Sequence, residues 1–238
     1  MANSLTALID HAILHPTMTE AELRSGCELA ANVSVASVCV KPYAVPSAVG
    51  FLEGSGVAVS TVVGFPHGAN TVDTKMFETR TACQQGAQEI DMVINIAKAV
   101  EQDWGYLEDE IRAVVDTAHS FAAIVKVIFE TDYISDDTLK IELCRISGRA
   151  GAEFVKTSTG FGFVKQPDGQ LLSHGATEHD VRLMREHAGP HLQVKASGGI
   201  RSFADAQRMV ELGATRLGTS ATKAIAQGES DAGGGDDY

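Results

Sequence analysis

Eight short apolar runs of strand length recur along the chain, and each is separated from the next by a stretch with helical spacing. Strands are predicted near Leu8–Ile13, Val35–Val40, Val57–Gly64, Glu89–Asn95, Ile124–Glu130, Glu153–Ser158, Leu192–Ala196 and Thr215–Gly218. Strands that alternate with helices argue for a parallel sheet with crossover connections. Eight such units in 238 residues favour closure into a single (β/α)8 barrel over an open doubly wound sheet. No G-x-G-x-x-G follows a strand, so nothing supports a dinucleotide fold.

The helical stretches carry their own signals. Thr19–Ala31 opens on T-x-x-E, a capping box. Thr71–Gln85 places Met76 and Phe77 on an apolar stripe, and Tyr106–His119 has Leu107, Ile111, Val114 and Val115 at helical spacing. Ser135–Ala150, Thr177–His187 and Ser202–Leu212 follow the same logic. Gly86, Gly151 and Gly213 each fall between a helix and the next strand, where a left-handed cap suits glycine. A short N-terminal helix and the barrel are expected to make one domain over residues 1–226. Residues 227–238, rich in Gly and Asp, are expected to be a flexible tail. Gly160–Gly175, with K-Q-P-D-G, reads as a long functional loop.

Charge and composition narrow the function. A hydrophobic share of 44% with 21% charged residues is that of a soluble globular protein. The net charge of −12 argues against a nucleic-acid surface, although a local pocket can still hold a small anion. No apolar stretch approaches the roughly 20 residues of a membrane span, and no signal-peptide pattern is visible. Cys27, Cys39, Cys83 and Cys144 are far apart and form no C-x-x-C, so reduced thiols and a cytoplasmic location are expected.

Two lysines stand in apolar runs that should be buried: Lys156 in A-E-F-V-K-T-S-T-G and Lys195 in L-Q-V-K-A-S-G-G-I. An ammonium is costly to desolvate. A second ammonium beside it, in a partly dry pocket, makes one amine titrate early and become nucleophilic. The pair points to Schiff-base chemistry on a carbonyl substrate. Strand parity adds Asp91, between Ile90 and Met92, and Lys126, between Val125 and Val127. Four successive strands then each turn an ionisable side chain inward, with one carboxylate among three ammonium groups. Snorkelling lysines and a structural ion pair would explain one such residue, but four at matching parity favour a catalytic wall. The turns Thr159-Gly160, Ser197-Gly198-Gly199 and Gly218-Thr219-Ser220 follow the last three strands. In a barrel of this kind such turns suit a phosphate held by backbone N–H groups.

The segments F-V-K-T-S-T-G (154–160), E-I-D-M-V-I-N (89–95), V-G-F-P-H-G (63–68), K-V-I-F-E-T (126–131) and V-K-A-S-G-G-I-R (194–201) together resemble the class I deoxyribose-phosphate aldolases. The resemblance spans nearly the whole chain, from Leu8-Ile9-Asp10-His11 to Gly218-Thr219-Ser220. It implies reversible cleavage of 2-deoxy-D-ribose 5-phosphate to D-glyceraldehyde 3-phosphate and acetaldehyde, without metal or cofactor. Lys156 matches the imine-forming lysine, Lys195 the lysine that lowers its pKa, and Asp91 the acid/base carboxylate. Asp10, Cys39, Lys126 and Thr159 match substrate-side positions. Gly160, Gly198, Gly199, Gly218, Thr219 and Ser220 fall on the phosphate-binding turns. A terminal tyrosine such as Tyr238 could reach the active-site mouth from its glycine-rich tether. A homodimer is the expected assembly.

The chain departs from the family pattern at Ala12, where Thr is common, at His15, where Lys is common, and in the longer loop Phe161–Ser173. These departures leave open an aldolase for a longer phosphorylated sugar. His11 and His15 lack a third partner for a metal. Glu108-Asp109-Glu110 reads as a solvated helix face.

Overall fold

The computed structural model describes residues 4–233. Its strands are β1 (Ile9–Ile13), β2 (Ser37–Val40), β3 (Ala58–Val63), β4 (Glu89–Val93), β5 (Ile124–Ile128), β6 (Phe154–Lys156), β7 (Val164–Lys165), β8 (Leu171–Leu172), β9 (Gln193–Ser197) and β10 (Arg216–Thr219). The first six, with β9 and β10, pair in parallel in chain order and close on β1. All eight predicted barrel strands are present, with bounds within about three residues of those expected.

The helices are α1 (Glu20–Asn32), α2 (Val45–Phe51), α3 (Val72–Gln84), α4 (Ile96–Val100), α5 (Trp104–His119), α6 (Asp137–Ala150), α7 (Glu178–His187), α8 (Phe203–Glu211) and α9 (Thr222–Gly233). Their starts follow local chemistry. Thr19 and Glu22 form the expected capping box of α1, and Ser202 and Asp205 form a second at α8. Asp103 accepts from Tyr106 N–H, so α5 begins at Trp104, ahead of the predicted Tyr106. Gly151 takes φ +90 at the end of α6, the left-handed cap expected of it.

Four features differ from expectation. Helices α2 and α4 are short and carry too few apolar turns to stand out by periodicity. The Gly160–Gly175 stretch is not all loop, because β7 and β8 form an antiparallel hairpin inside it. Helix α9 runs through the proposed 226/227 boundary. Glu229 of that helix accepts from Leu5 N–H at 2.7 Å and from Ser4 Oγ at 2.8 Å, a contact far away in sequence that supports the half of the helix weakened by Gly228, Ser230 and Asp231. Tyr238 lies outside the described residues. Glu110 is not solvated: it is fully buried on α5 and pairs with Lys75 of α3 at 2.8 Å.

Alternation along each strand separates two environments. Val125, Val127, Val155, Val194 and Ala196 are buried in the apolar shell between barrel and helices, while the residues between them face the interior. That interior is charged rather than apolar. Register sets Asp91 beside Lys126 on β4 and β5, and Lys156 beside Lys195 on β6 and β9. It also sets Arg216 of β10 beside Lys195.

Candidate active site

Asp91 is the hub. Its Oδ2 accepts from Lys156 Nζ and from Lys195 Nζ, each at 2.7 Å. Its Oδ1 accepts from Lys126 Nζ at 2.9 Å and from Ser60 Oγ at 3.2 Å. Asp10 forms a second hub. Its Oδ2 accepts from Lys195 at 2.5 Å and from Lys126 at 2.9 Å. Its Oδ1 accepts from Ser37 Oγ and from Arg216, both at 2.6 Å. Glu89 closes the network against Lys126 at 2.5 Å and Arg216 at 2.9 Å. The side chains of Asp10, Asp91, Lys126, Lys156 and Lys195 are at most 3% exposed.

The expected balance of one carboxylate among three ammonium groups therefore needs correction. Three carboxyl groups (Asp10, Glu89, Asp91) face four basic ones (Lys126, Lys156, Lys195, Arg216), which leaves one positive charge in excess. A dry interior disfavours that excess, so the cluster balances when one lysine is neutral. Of the three lysines, Lys156 is the one whose pKa is lowered. Burial drives its amine below the ordinary range and, despite Asp91, the Lys195 charge drives it lower. Burial also opposes the charge on Lys195, but Asp10 and Asp91 more than restore it and leave its pKa raised. Lys126 is likewise desolvated, yet Asp10, Asp91 and Glu89 lift it well above the usual value. Burial pushes the Asp91 carboxyl up, but Lys126, Lys156 and Lys195 outweigh it and hold it well below the carboxylate range. Burial raises the Cys39 thiol, and Asp91 raises it further, which removes it as a nucleophile at neutral pH.

Above the cluster a cavity of about 400 Å³ is lined by Thr159, Gly160, Ser197, Gly198, Gly199, Gly218, Thr219 and Ser220, among others. The six glycine-turn residues expected to hold phosphate are thus brought together. Asp10, Asp91 and the three lysines lie beneath this wall rather than on it. The two layers touch at Gly218, where an added Cβ would lie 3.1 Å from Lys195 Cε and 2.6 Å from Ser197 Oγ. Ala12 and His15, two of the three departures from the family pattern, both line the cavity, as does Arg201.

Four members of this constellation went unread in the sequence. Glu89, Ser60 and Ser37 sit on inward strand positions and parity alone could have found them. Arg216 opens β10 and resembles any charged residue at a strand start. Among the described residues, Asp137, His179 and Asp180 form the one group with metal-ligand spacing. Lys140 already occupies it, 2.5 Å from Asp180 and 3.1 Å from Asp137.

The DeoC/LacD family aldolase model matches residues 5–228. The chain belongs to that family. It is 47% identical over 235 residues to the deoxyribose-phosphate aldolase of Bacillus subtilis (strain 168), covering 99% of this chain and all of that one. It is 46% identical over 225 residues to the corresponding protein of Clostridium perfringens (strain 13 / Type A), covering 94% and 95%. Among solved structures, the tetrameric deoxyribose phosphate aldolase from Aeropyrum pernix superposes with a TM-score of 0.84 at 32% identity, covering 94% and 89%. The Aeropyrum pernix aldolase therefore shares the fold found here.

Proposed function

We propose that this chain reversibly cleaves 2-deoxy-D-ribose 5-phosphate to D-glyceraldehyde 3-phosphate and acetaldehyde through an imine on Lys156. The observation that carries the reading is the desolvated Lys156 amine, which shares the Asp91 Oδ2 oxygen with the Lys195 ammonium beneath a glycine-lined cavity. Full-length similarity to enzymes named for this reaction supports the substrate.

The chemistry follows from the charges. A neutral Lys156 adds to the C1 aldehyde of the open sugar and loses water to give a protonated imine. Removal of the C3 hydroxyl proton lets the C2–C3 bond break, with its electron pair drawn into the imine. Glyceraldehyde 3-phosphate departs and an enamine of acetaldehyde stays on Lys156. Protonation at C2 and hydrolysis release acetaldehyde and the free amine. Asp91, ionised at rest, is the group placed to relay these protons, while Lys195 remains the cation that keeps Lys156 neutral. The imine nitrogen is the electron sink, so the scheme calls for neither metal nor cofactor. Asp10 holds Lys195 directly, Lys126 bridges Asp10 and Asp91, and Cys39 and Thr159 flank the substrate. Gly160, Gly198, Gly199, Gly218, Thr219 and Ser220 hold the phosphate through backbone N–H groups and short hydroxyls.

Two coarser points accompany this reading. The four cysteines are free and buried, which suits a reducing compartment such as the cytoplasm. Tyr43 and Phe77, 73% and 65% exposed, flank one groove with Pro42 and offer an apolar face for a homodimer, testable by sedimentation. The central test is borohydride reduction in the presence of acetaldehyde, followed by mass mapping. An adduct confined to Lys156 is expected. No adduct there would overturn the mechanism, and faster cleavage of a longer ketose phosphate would overturn the substrate.

A further inference from the structure

Two carboxylates lie just beyond β5 that the mechanism does not use. Glu130 is 1% exposed and takes φ +58, a left-handed conformation that costs strain in any residue with a Cβ. A buried acid held in such a conformation is an outlier that calls for a reason. Its side chain supplies one. Both carboxylate oxygens accept from Thr159 N–H, each at 3.3 Å, and Oε2 also accepts from Thr159 Oγ1. That hydroxyl in turn accepts from Phe161 N–H at 2.9 Å. Glu130 therefore organises three consecutive residues of the cavity wall: Thr159, Gly160 and Phe161. The approach is close enough that a Cβ on Gly162 would lie 2.8 Å from Glu130 Cδ.

Asp132, two residues on, does the same on the opposite side. Its Oδ1 accepts from His174 N–H at 2.6 Å, and its Oδ2 from Gly175 N–H at 3.1 Å and Ser173 Oγ at 3.3 Å. The segment it holds backs the second wall of the cavity. A Cβ on Gly175 would lie 2.5 Å from the Gly198 carbonyl carbon, and one on Gly199 3.1 Å from His174 O. Ala176 N–H donates to Gly198 O at 3.1 Å. The β7–β8 hairpin is thus anchored at both ends by one short loop, Glu130 before it and Asp132 after it.

Negative charge behind an anion pocket is unfavourable in itself. Its presence here is accounted for by what the carboxylates orient. Neither carboxylate lines the cavity: Glu130 takes up an N–H group of the wall, and Asp132 takes up N–H groups of the segment behind it.

We propose that Glu130 and Asp132 are positioning residues for the phosphate end of the substrate, setting the distance between the Thr159–Phe161 wall and the Gly198–Gly199 wall. This rests on the phosphate-pocket reading given above. Neither residue touches the reacting carbons, so the effect should fall on recognition of the phosphate and not on the imine chemistry.

The test compares wild type with Glu130→Ala, Glu130→Gln and Asp132→Ala. Inhibition by inorganic phosphate is measured, together with cleavage of 2-deoxyribose with and without its 5-phosphate. Loss of one or two charge-assisted hydrogen bonds should raise the phosphate inhibition constant, and KM for the phosphorylated sugar, by about tenfold or more. Cleavage of unphosphorylated deoxyribose and borohydride trapping of acetaldehyde should change less than about twofold, on the same reasoning. Glu130→Gln, which keeps the volume and one acceptor, should lie between wild type and alanine and guards against a folding failure of the latter. Variants that bind phosphate as wild type does, or that lose both sugars equally, would overturn the inference alone. A wild-type enzyme that phosphate does not inhibit would overturn the pocket reading along with it.

Discussion

Lys156 Nζ and Asp91 Oδ2 lie 2.7 Å apart at the centre of the barrel, with the Asp91 carboxylate fully out of solvent. The same oxygen serves Lys195. One carboxylate oxygen thus sees both the amine meant to be neutral and the amine meant to be charged. The two lysines differ at the second carboxylate, Asp10, which contacts Lys195 and Lys126 and not Lys156; with burial opposing both charges, the Lys195 pKa is raised and the Lys156 pKa lowered.

Asp91→Asn removes the proton relay and the charge that raises the Lys156 pKa. Turnover should fall by roughly 10²–10⁴-fold, the usual worth of general acid–base catalysis. The Lys156 amine should become easier to deprotonate, so acetaldehyde trapping by borohydride should persist and extend to lower pH. Loss of trapping along with turnover would mean that Asp91 is needed for imine formation itself.

Lys195→Leu has the opposite sign. Without the neighbouring cation, Asp91 acts on Lys156 unopposed and the Lys156 pKa rises. Neutral amine then appears only at higher pH. The acid limb of the kcat/KM profile should move up by about one pH unit or more, with slower turnover throughout. Opposite shifts in the two variants, read from pH profiles, would separate the two roles; parallel shifts would not support them.

How far this site could be read from sequence depends on what each residue competes with. Lys156, Lys195, Asp91 and Lys126 interrupt apolar runs, so parity alone exposes them. Arg216 sits at a strand start, where charged residues are ordinary, and only closure of the barrel brings it within reach of Asp10, 206 residues away in sequence. Glu110 looked solvated because it follows two other acids. Its partner Lys75 lies 35 residues back on α3, and no local pattern connects them. Helix α9 was hidden by composition, since its anchor is the Glu229 contact with the chain start. The strands were legible throughout because alternation and glycine punctuation are local.

Gly218→Ala tests the contact between the two layers of the site. The added methyl would meet Ser197 Oγ at 2.6 Å and the Lys195 stem at 3.1 Å, forcing one of them to move. A misplacement approaching 1 Å can cost about 10²-fold in rate, so a kcat/KM loss of that order is expected. Thermal stability should change little by comparison. An unaltered kcat/KM would show that the cavity floor and Lys195 are not mechanically coupled.

His11 offers a prediction about stability and pH that is independent of catalysis. Its ring lies on the outward side of β1, 6% exposed, with Nδ1 2.8 Å from Thr222 Oγ1 of α9. Burial lowers its pKa from 6.5 to about 4, because the protonated ring would lose its hydration. The sign follows from proton uptake. Between pH 6.5 and 4 the unfolded chain binds this proton while the folded chain does not, so stability falls as pH falls through that window. Above about pH 6.5 the contribution is fully present. Going from pH 7 to pH 5, the loss from this one group should be roughly 2 kcal/mol. His11→Gln keeps a hydrogen-bonding partner for Thr222 and has no proton to gain. Urea unfolding of wild type and variant at both pH values isolates the difference. The variant's loss of stability on acidification should be smaller than wild type's by about that amount, and equal losses would place the acid sensitivity of the barrel elsewhere.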